Sequence, residues 1–125
     1  MRLNPDCIRD LLLTIEEKCD FENQWTYDKN MPLEDRLEKY TRDELSYHLL
    51  QCKRSNLIVA GKFYGQGGNL IVYDLSPEGH SFLANVRKDS IWDKTKSIAK
   101  EKICSISLAV LTQIAEKLVL SMINL

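Results

Sequence analysis

His48 and Cys52 stand four residues apart in "SYHLLQC", which puts both on one face of a helix at a spacing zinc can use. Two ligands do not make a site, and His80, Cys7, Cys19 and Cys104 share no motif spacing with them. No metal is expected, and His48 reads as a core-facing ring with a satisfied nitrogen. The glycines of "GQGG" (65–68) would cradle a phosphate if a helix followed. Instead "NLIVYDL" follows, which reads as a strand, and the Gly-Lys-Ser/Thr ending of a phosphate loop is missing, so they read as a turn. The neighbouring carboxylates Glu16–Glu17 and Glu34–Asp35 diverge by about 100° on a helix and cannot share a site. No Gly-x-Ser-x-Gly or Cys–His nucleophile pattern occurs, and neither histidine has a recognisable acid–base setting. The expectation is a protein that is not an enzyme and carries no cofactor. His80 falls in the first turn of a later helix, where the dipole disfavours a positive charge and favours a neutral, hydrogen-bonded ring.

The side chains best suited to reading a polymer are Arg42, Ser46, Tyr47, Gln51 and Arg54, which point away from the apolar face of their helix. Arg and Gln match guanine and adenine edges in a major groove, and Lys62, on a nearby β-ribbon, could touch a phosphate. Charge argues for restraint. The 125 residues carry a net charge of −1, so no global attraction to nucleic acid exists. Residues 1–40 hold six Lys/Arg against ten Asp/Glu, and the remainder hold eleven against eight, so a polyanion contact should come from the later part. The basic positions Arg87, Lys88, Lys94, Lys96, Lys100 and Lys102 alternate with Asp89, Asp93 and Glu101 and read first as a solvated helix face.

Elements must position these residues. "NPDCIRDLLLTIEEKC" offers Asn4 as N-cap, Pro5 at the first helical position and Asp6 in the first turn, with Cys7, Ile8, Leu11, Leu12 and Ile15 as a buried stripe ending near Cys19. Cys7 and Cys19 on one helix lie roughly 18 Å apart, too far to bridge, and four reduced thiols are expected. Trp25 and Tyr27 suit a short extended piece, and "PLEDRLEKY" a short helix. Thr41 and Glu44 form a capping box ahead of a helix whose inner face is Leu45, His48, Leu49 and Cys52. "LIVAGKFYGQGGNLIVYDL" is a hairpin signal. Ser76 and Pro77 then start a helix that buries Phe82, Leu83 and Val86, and a basic helix follows with Ile91, Trp92 and Ile98 as its apolar contacts.

The last 23 residues are nearly long enough to span a bilayer, but Gln113, Glu116 and Lys117 sit mid-segment, and a charge there costs about 3 kcal/mol. The segment reads as one helix whose stripe, Ile103, Ile106, Val110, Ile114, Leu118 and Leu125, widened by Leu108, Leu111, Val119 and Met122, packs on the body or joins a homodimer. Membrane association is the lesser reading. The start, "MRLNPDCIRD", shows no signal peptide, so a cytoplasmic location is expected.

The order helix, short helix, capped helix, hairpin is the winged-helix arrangement. The fold expected is α+β, mainly helical, with a winged-helix-like body over 1–86 and a helical extension over 87–125. "LNPDCIRDLLL", "YTRDELSYHLLQC" and "LSPEGHSFLANVRKDSIWDKTK" also resemble the family known as domain of unknown function 2513, over roughly residues 2–100. The resemblance implies a small cytoplasmic bacterial, phage or prophage protein with a winged-helix-like body, and it brings no catalytic residues. Two expectations follow. One is a dimeric DNA-binding or regulatory module. The other is a phage-encoded anti-defence inhibitor that binds a host immune protein, its acidic first third facing a basic groove.

Overall fold

The computed structural model of the chain describes residues 1–66, 68–102 and 107–123. Helix α1 (Pro5–Lys18) starts where the Asn4 side chain accepts the Asp6 amide at 3.1 Å, and it buries Cys7, Ile8, Leu11, Leu12 and Ile15 completely. Each fully buried Leu or Ile is worth about 1.5–3 kcal/mol relative to exposure, so this stripe anchors the core. Strand β1 (Trp25–Tyr27) follows. The short helix expected in "PLEDRLEKY" is only a 3-10 turn, Asp35–Leu37, without a side-chain cap, and only Leu37 of it is buried. Helix α2 (Arg42–Arg54) opens on the reciprocal Thr41–Glu44 box, with both bonds at 3.1 Å. Asn56 turns the chain at φ 57° into β2 (Ile58–Ala60), which leads through a loop to β3 (Leu70–Leu75). Helices α3 (Pro77–Val86), α4 (Asp89–Lys102) and α5 (Leu108–Met122) complete an α+β fold.

The strands form an antiparallel sheet in the order β1-β3-β2. Trp25 pairs with Val72 and Tyr27 with Leu70, so the inner face carries Trp25, Tyr27, Leu70 and Val72. Between β2 and β3 the register slips: Val59 faces Asp74, but Ala60 faces Val72. One extra β3 residue therefore sits between these pairs, and side-chain alternation shifts, so that Leu75 is buried like Val72 although three positions away. The hairpin closes through a bridge between Tyr64 and Asn69, with Gly65 at φ 60°, which glycine adopts without strain, followed by Gln66 at φ 62° in the same left-handed region. The β-type runs around "GQGG" are thus a hairpin.

The strand-to-helix joint "SPEGH" is tight. Ser76 Oγ accepts the Gly79 amide at 3.0 Å, and the Ser76 amide donates to the Leu57 carbonyl at 3.0 Å. A Cβ on Gly79 would run into that same carbonyl oxygen. Glycine is required here because a helix start lies directly against the backbone entering β2.

The segment 87–125 is expected as an extension, but its described residues share the core with 1–86. Trp92, Ala99, Leu108, Leu111 and Ala115 belong to the same buried cluster as Ile8 and Leu49. The single helix expected over 103–125 is corrected: α5 begins at Leu108, where Ser107 Oγ accepts the Val110 amide at 3.1 Å, and it folds back on α4 and α3. Its buried face is Leu108, Leu111 and Ala115, while Val110, Ile114 and Leu118 are only half-buried. The cap at Ser107 breaks the continuous phase on which the longer stripe relied. Ile103, Ile106 and Leu125 lie outside the described residues. Among the described residues, no helix is long and apolar enough to cross a membrane.

Candidate functional site

Helix α2 and the β2–β3 hairpin form one continuous feature. Leu45, His48, Leu49 and Cys52 turn inward, as their spacing predicts, and the opposite side presents Asp43, Tyr47, Leu50 and Arg54. Lys53, beside that stripe, donates to the Gly61 carbonyl at 2.7 Å and so joins the helix end to the hairpin.

The residues singled out for nucleic acid do not behave alike. Arg54 and Lys62 are exposed. Ser46, Tyr47 and Gln51 are half-buried, and the Tyr47 ring meets His48 edge-on, 5.1 Å between centroids. Arg42 is committed within the fold: its guanidinium donates to the carbonyls of Asp28 and Met31 and lies 5.8 Å from the centre of the Tyr27 ring. It ties the loop after β1 to the first turn of α2. A cation that sequence reasoning passed over joins the feature. Lys29 lies along Gly68, and its amide donates to Asn69 Oδ1 at 3.1 Å. Forty residues separate Lys29 from Asn69, and no local signal connects them.

A second polar cluster surrounds the start of α1. His48 is fully buried, accepting the Asn4 amide on Nε2 at 2.8 Å and meeting the Glu44 carbonyl through Nδ1 at 2.7 Å. Both ring nitrogens are therefore engaged by backbone, and the pairing assigns the Nδ1–H tautomer. The Asp6 carboxylate accepts from Trp92 Nε1 and Lys96 Nζ, each at 2.8 Å. Burial opposes its ionisation, but these two hydrogen bonds prevail and hold the carboxyl below its ordinary range. Tyr40 donates to Asp10 at 2.6 Å, and Lys39 sits 3.0 Å from the same carboxylate. Burial, then Asp10, push the Tyr40 phenol upward. Arg9 reaches the Val86 and Arg87 carbonyls and Asp89, so α1 is bonded directly to residues 86–89. A hollow of about 380 Å³ opens here between Asp6, Arg9, Asp10, Lys39, Tyr40 and Glu44. Of its charges Asp10 pairs with Lys39, while Asp6 reaches Lys96 and Arg9 reaches Asp89, so the cluster braces α1 against α4 and the segment before α2.

Cys7, Cys19 and Cys52 are free, buried thiols. Burial pushes Cys7 up to about 12 and raises Cys19 and Cys52 as well, which makes them poor nucleophiles. Among the described residues no group of three His, Cys, Asp or Glu could hold a metal ion. His80 is exposed on α3, 3.9 Å from Asp74, and does not converge with His48 and Cys52.

Residues 2–105 match the family described as "Hypothetical protein (DUF2513)", and the chain belongs to that family. It is also similar to an uncharacterized protein of Haemophilus influenzae, 27% identical over 98% of this chain and 99% of the relative. No solved structure matches.

Proposed function

We propose that this chain is a non-enzymatic, winged-helix-like binding module, regulatory in character, that docks duplex DNA with α2 and the β2–β3 hairpin. The observation that carries the reading is the chain order α1, β1, 3-10 turn, α2, β2, β3 combined with the sheet order β1-β3-β2. That combination supports reading α2 as a recognition helix and the hairpin as a wing. Arg54 and Lys62 supply exposed cations for phosphates, with Lys29 and Lys53 against the hairpin. Ser46, Tyr47 and Gln51 supply hydrogen-bonding groups toward base edges. Fluorescence anisotropy of a labelled duplex tests the reading. Affinity falls linearly on a log–log plot against salt, and Arg54→Ala with Lys62→Ala lowers the slope by about two. Absent or salt-independent binding overturns it.

A second reading keeps the surface and changes the partner to a host protein, as an anti-defence inhibitor would require. It draws on the outward stripe of α2, where Asp43 repels phosphate, Tyr47 and Leu50 offer apolar area, and Arg42 and Lys53 are already engaged. A pull-down from nuclease-treated host lysate separates the two. A stoichiometric protein partner that survives nuclease, with no shift of duplex DNA, favours the inhibitor.

A further inference from the structure

A trough runs between α3 and α5. Its apolar lining includes Phe82, Ala84, Val119 and Leu120, and its volume is about 700 Å³. A further hollow of about 340 Å³ continues it past the end of α3, where Ile91 of α4 joins the lining. Leu120 and Ile123, exposed by 57 and 52%, form one wall of the trough, and Met122, exposed by 63%, lines the adjoining hollow. Helix α5 gathers Thr112, Gln113, Glu116 and Lys117 on one side, while Val119 and Leu120 run along the trough. Charge is unevenly distributed along the trough. Glu78 and Glu116 stand toward one end, and Arg87 and Lys88 at the other. Arg87 is already paired with Glu16. Glu78, Lys88 and Glu116 make no ion pair among the described residues.

We propose that the trough is the seat of a second copy of this chain, related by a two-fold axis. Under such an axis the exposed apolar wall of the trough in each copy packs into the trough of the other. The same rotation inverts the trough, so its acidic end meets the basic end of the neighbour and Glu116 of each copy faces Lys88 of the other. An isologous contact with matched charge at both ends follows from this one surface. The inference is independent of what α2 docks.

Light scattering and sedimentation equilibrium on the full chain test it. The wild type has twice the chain mass and dissociates on dilution. Glu116→Lys and Lys88→Glu, both at exposed positions, each weaken the dimer about tenfold or more while leaving the circular dichroism melt unchanged. An equimolar mixture of the two variants restores association, since each mixed pair regains both opposite-charge contacts, and so does the double variant. Leu120→Asp abolishes it. A monomeric wild type at high concentration overturns the proposal, whether the trough is then filled by the chain's own tail or by an unrelated partner. So does a dimer indifferent to both charge reversals, or one that the mixture fails to restore.

Discussion

The His48 imidazole holds the entrance of α1. Its Nε2 accepts the Asn4 amide at 2.8 Å, while Nδ1 meets the Glu44 carbonyl one turn back in its own helix at 2.7 Å. Asn4 in turn caps α1 with its side chain. One buried ring thus couples the start of α1 to the first turn of α2, with 44 positions between Asn4 and His48, and its hydrogen bonds leave no lone pair for a metal.

Replacing that ring by an apolar one of similar reach therefore exposes the arrangement. His48→Leu leaves the Asn4 amide without its partner and lowers the unfolding free energy by about 1–3 kcal/mol. Urea unfolding reads this as a lower midpoint at unchanged slope. An unchanged midpoint would show that the bond carries no net stability.

The approach of α3 to Leu57 makes a second prediction. Gly79→Ala forces the helix start away from the backbone entering β2 and destabilises the fold by about 1–3 kcal/mol or more. The intrinsic preference of a helix for alanine points the other way, by about 1 kcal/mol. A melting temperature that rises in the variant would mean that the joint relaxes freely.

Acid should unfold the protein through its paired carboxylates. Hydrogen bonds from Arg87 lower Glu16, and those from Lys96 and Trp92 lower Asp6 against its burial. Both groups bind a proton more weakly in the folded chain than in the unfolded one. Their stabilisation is complete above the unfolded values, near 4.5 and 3.8, and is lost as pH falls through the lower folded ones. The urea midpoint should hold steady down to about pH 5 and fall toward pH 3, less steeply in Asp6→Asn. Equal slopes in wild type and variant would count against the pairing.

Helix α5 belongs to the core and not merely to an appendage. Leu111→Ala, at a fully buried position, should cost about 2–5 kcal/mol. Truncation after residue 102 should leave a destabilised body that exposes the apolar faces of α3 and α4. A truncated protein as stable as the full chain would make residues 107–123 dispensable.

Local chemistry was legible in the residues. The caps at Asn4, Thr41 and Ser76 could be read because each side chain and the amide it satisfies lie within three residues of each other. The inner faces of α1 and α2 followed from helical period, and the hairpin from glycines between β-rich runs. Of the candidate contact residues, Arg54 and Lys62 stand exposed as their positions suggested. Arg42 does not, because its engagement depends on where the loop 28–31 passes, which period alone does not encode.

By itself, then, the sequence determined the main helical segments, the hairpin, and the inward turn of His48 and Cys52. These depend on periodicity and on contacts a few residues long. Only the tertiary structure decided that Asp6 binds Trp92 across 86 residues, that Lys29 lies on the hairpin tip, that one extra residue shifts the faces of β3, and that α5 starts at Leu108 and folds onto α3 and α4. Each of these pairings brings together distant segments. Which distant partner a side chain meets is set by how whole elements pack, and by none of its near neighbours in the chain.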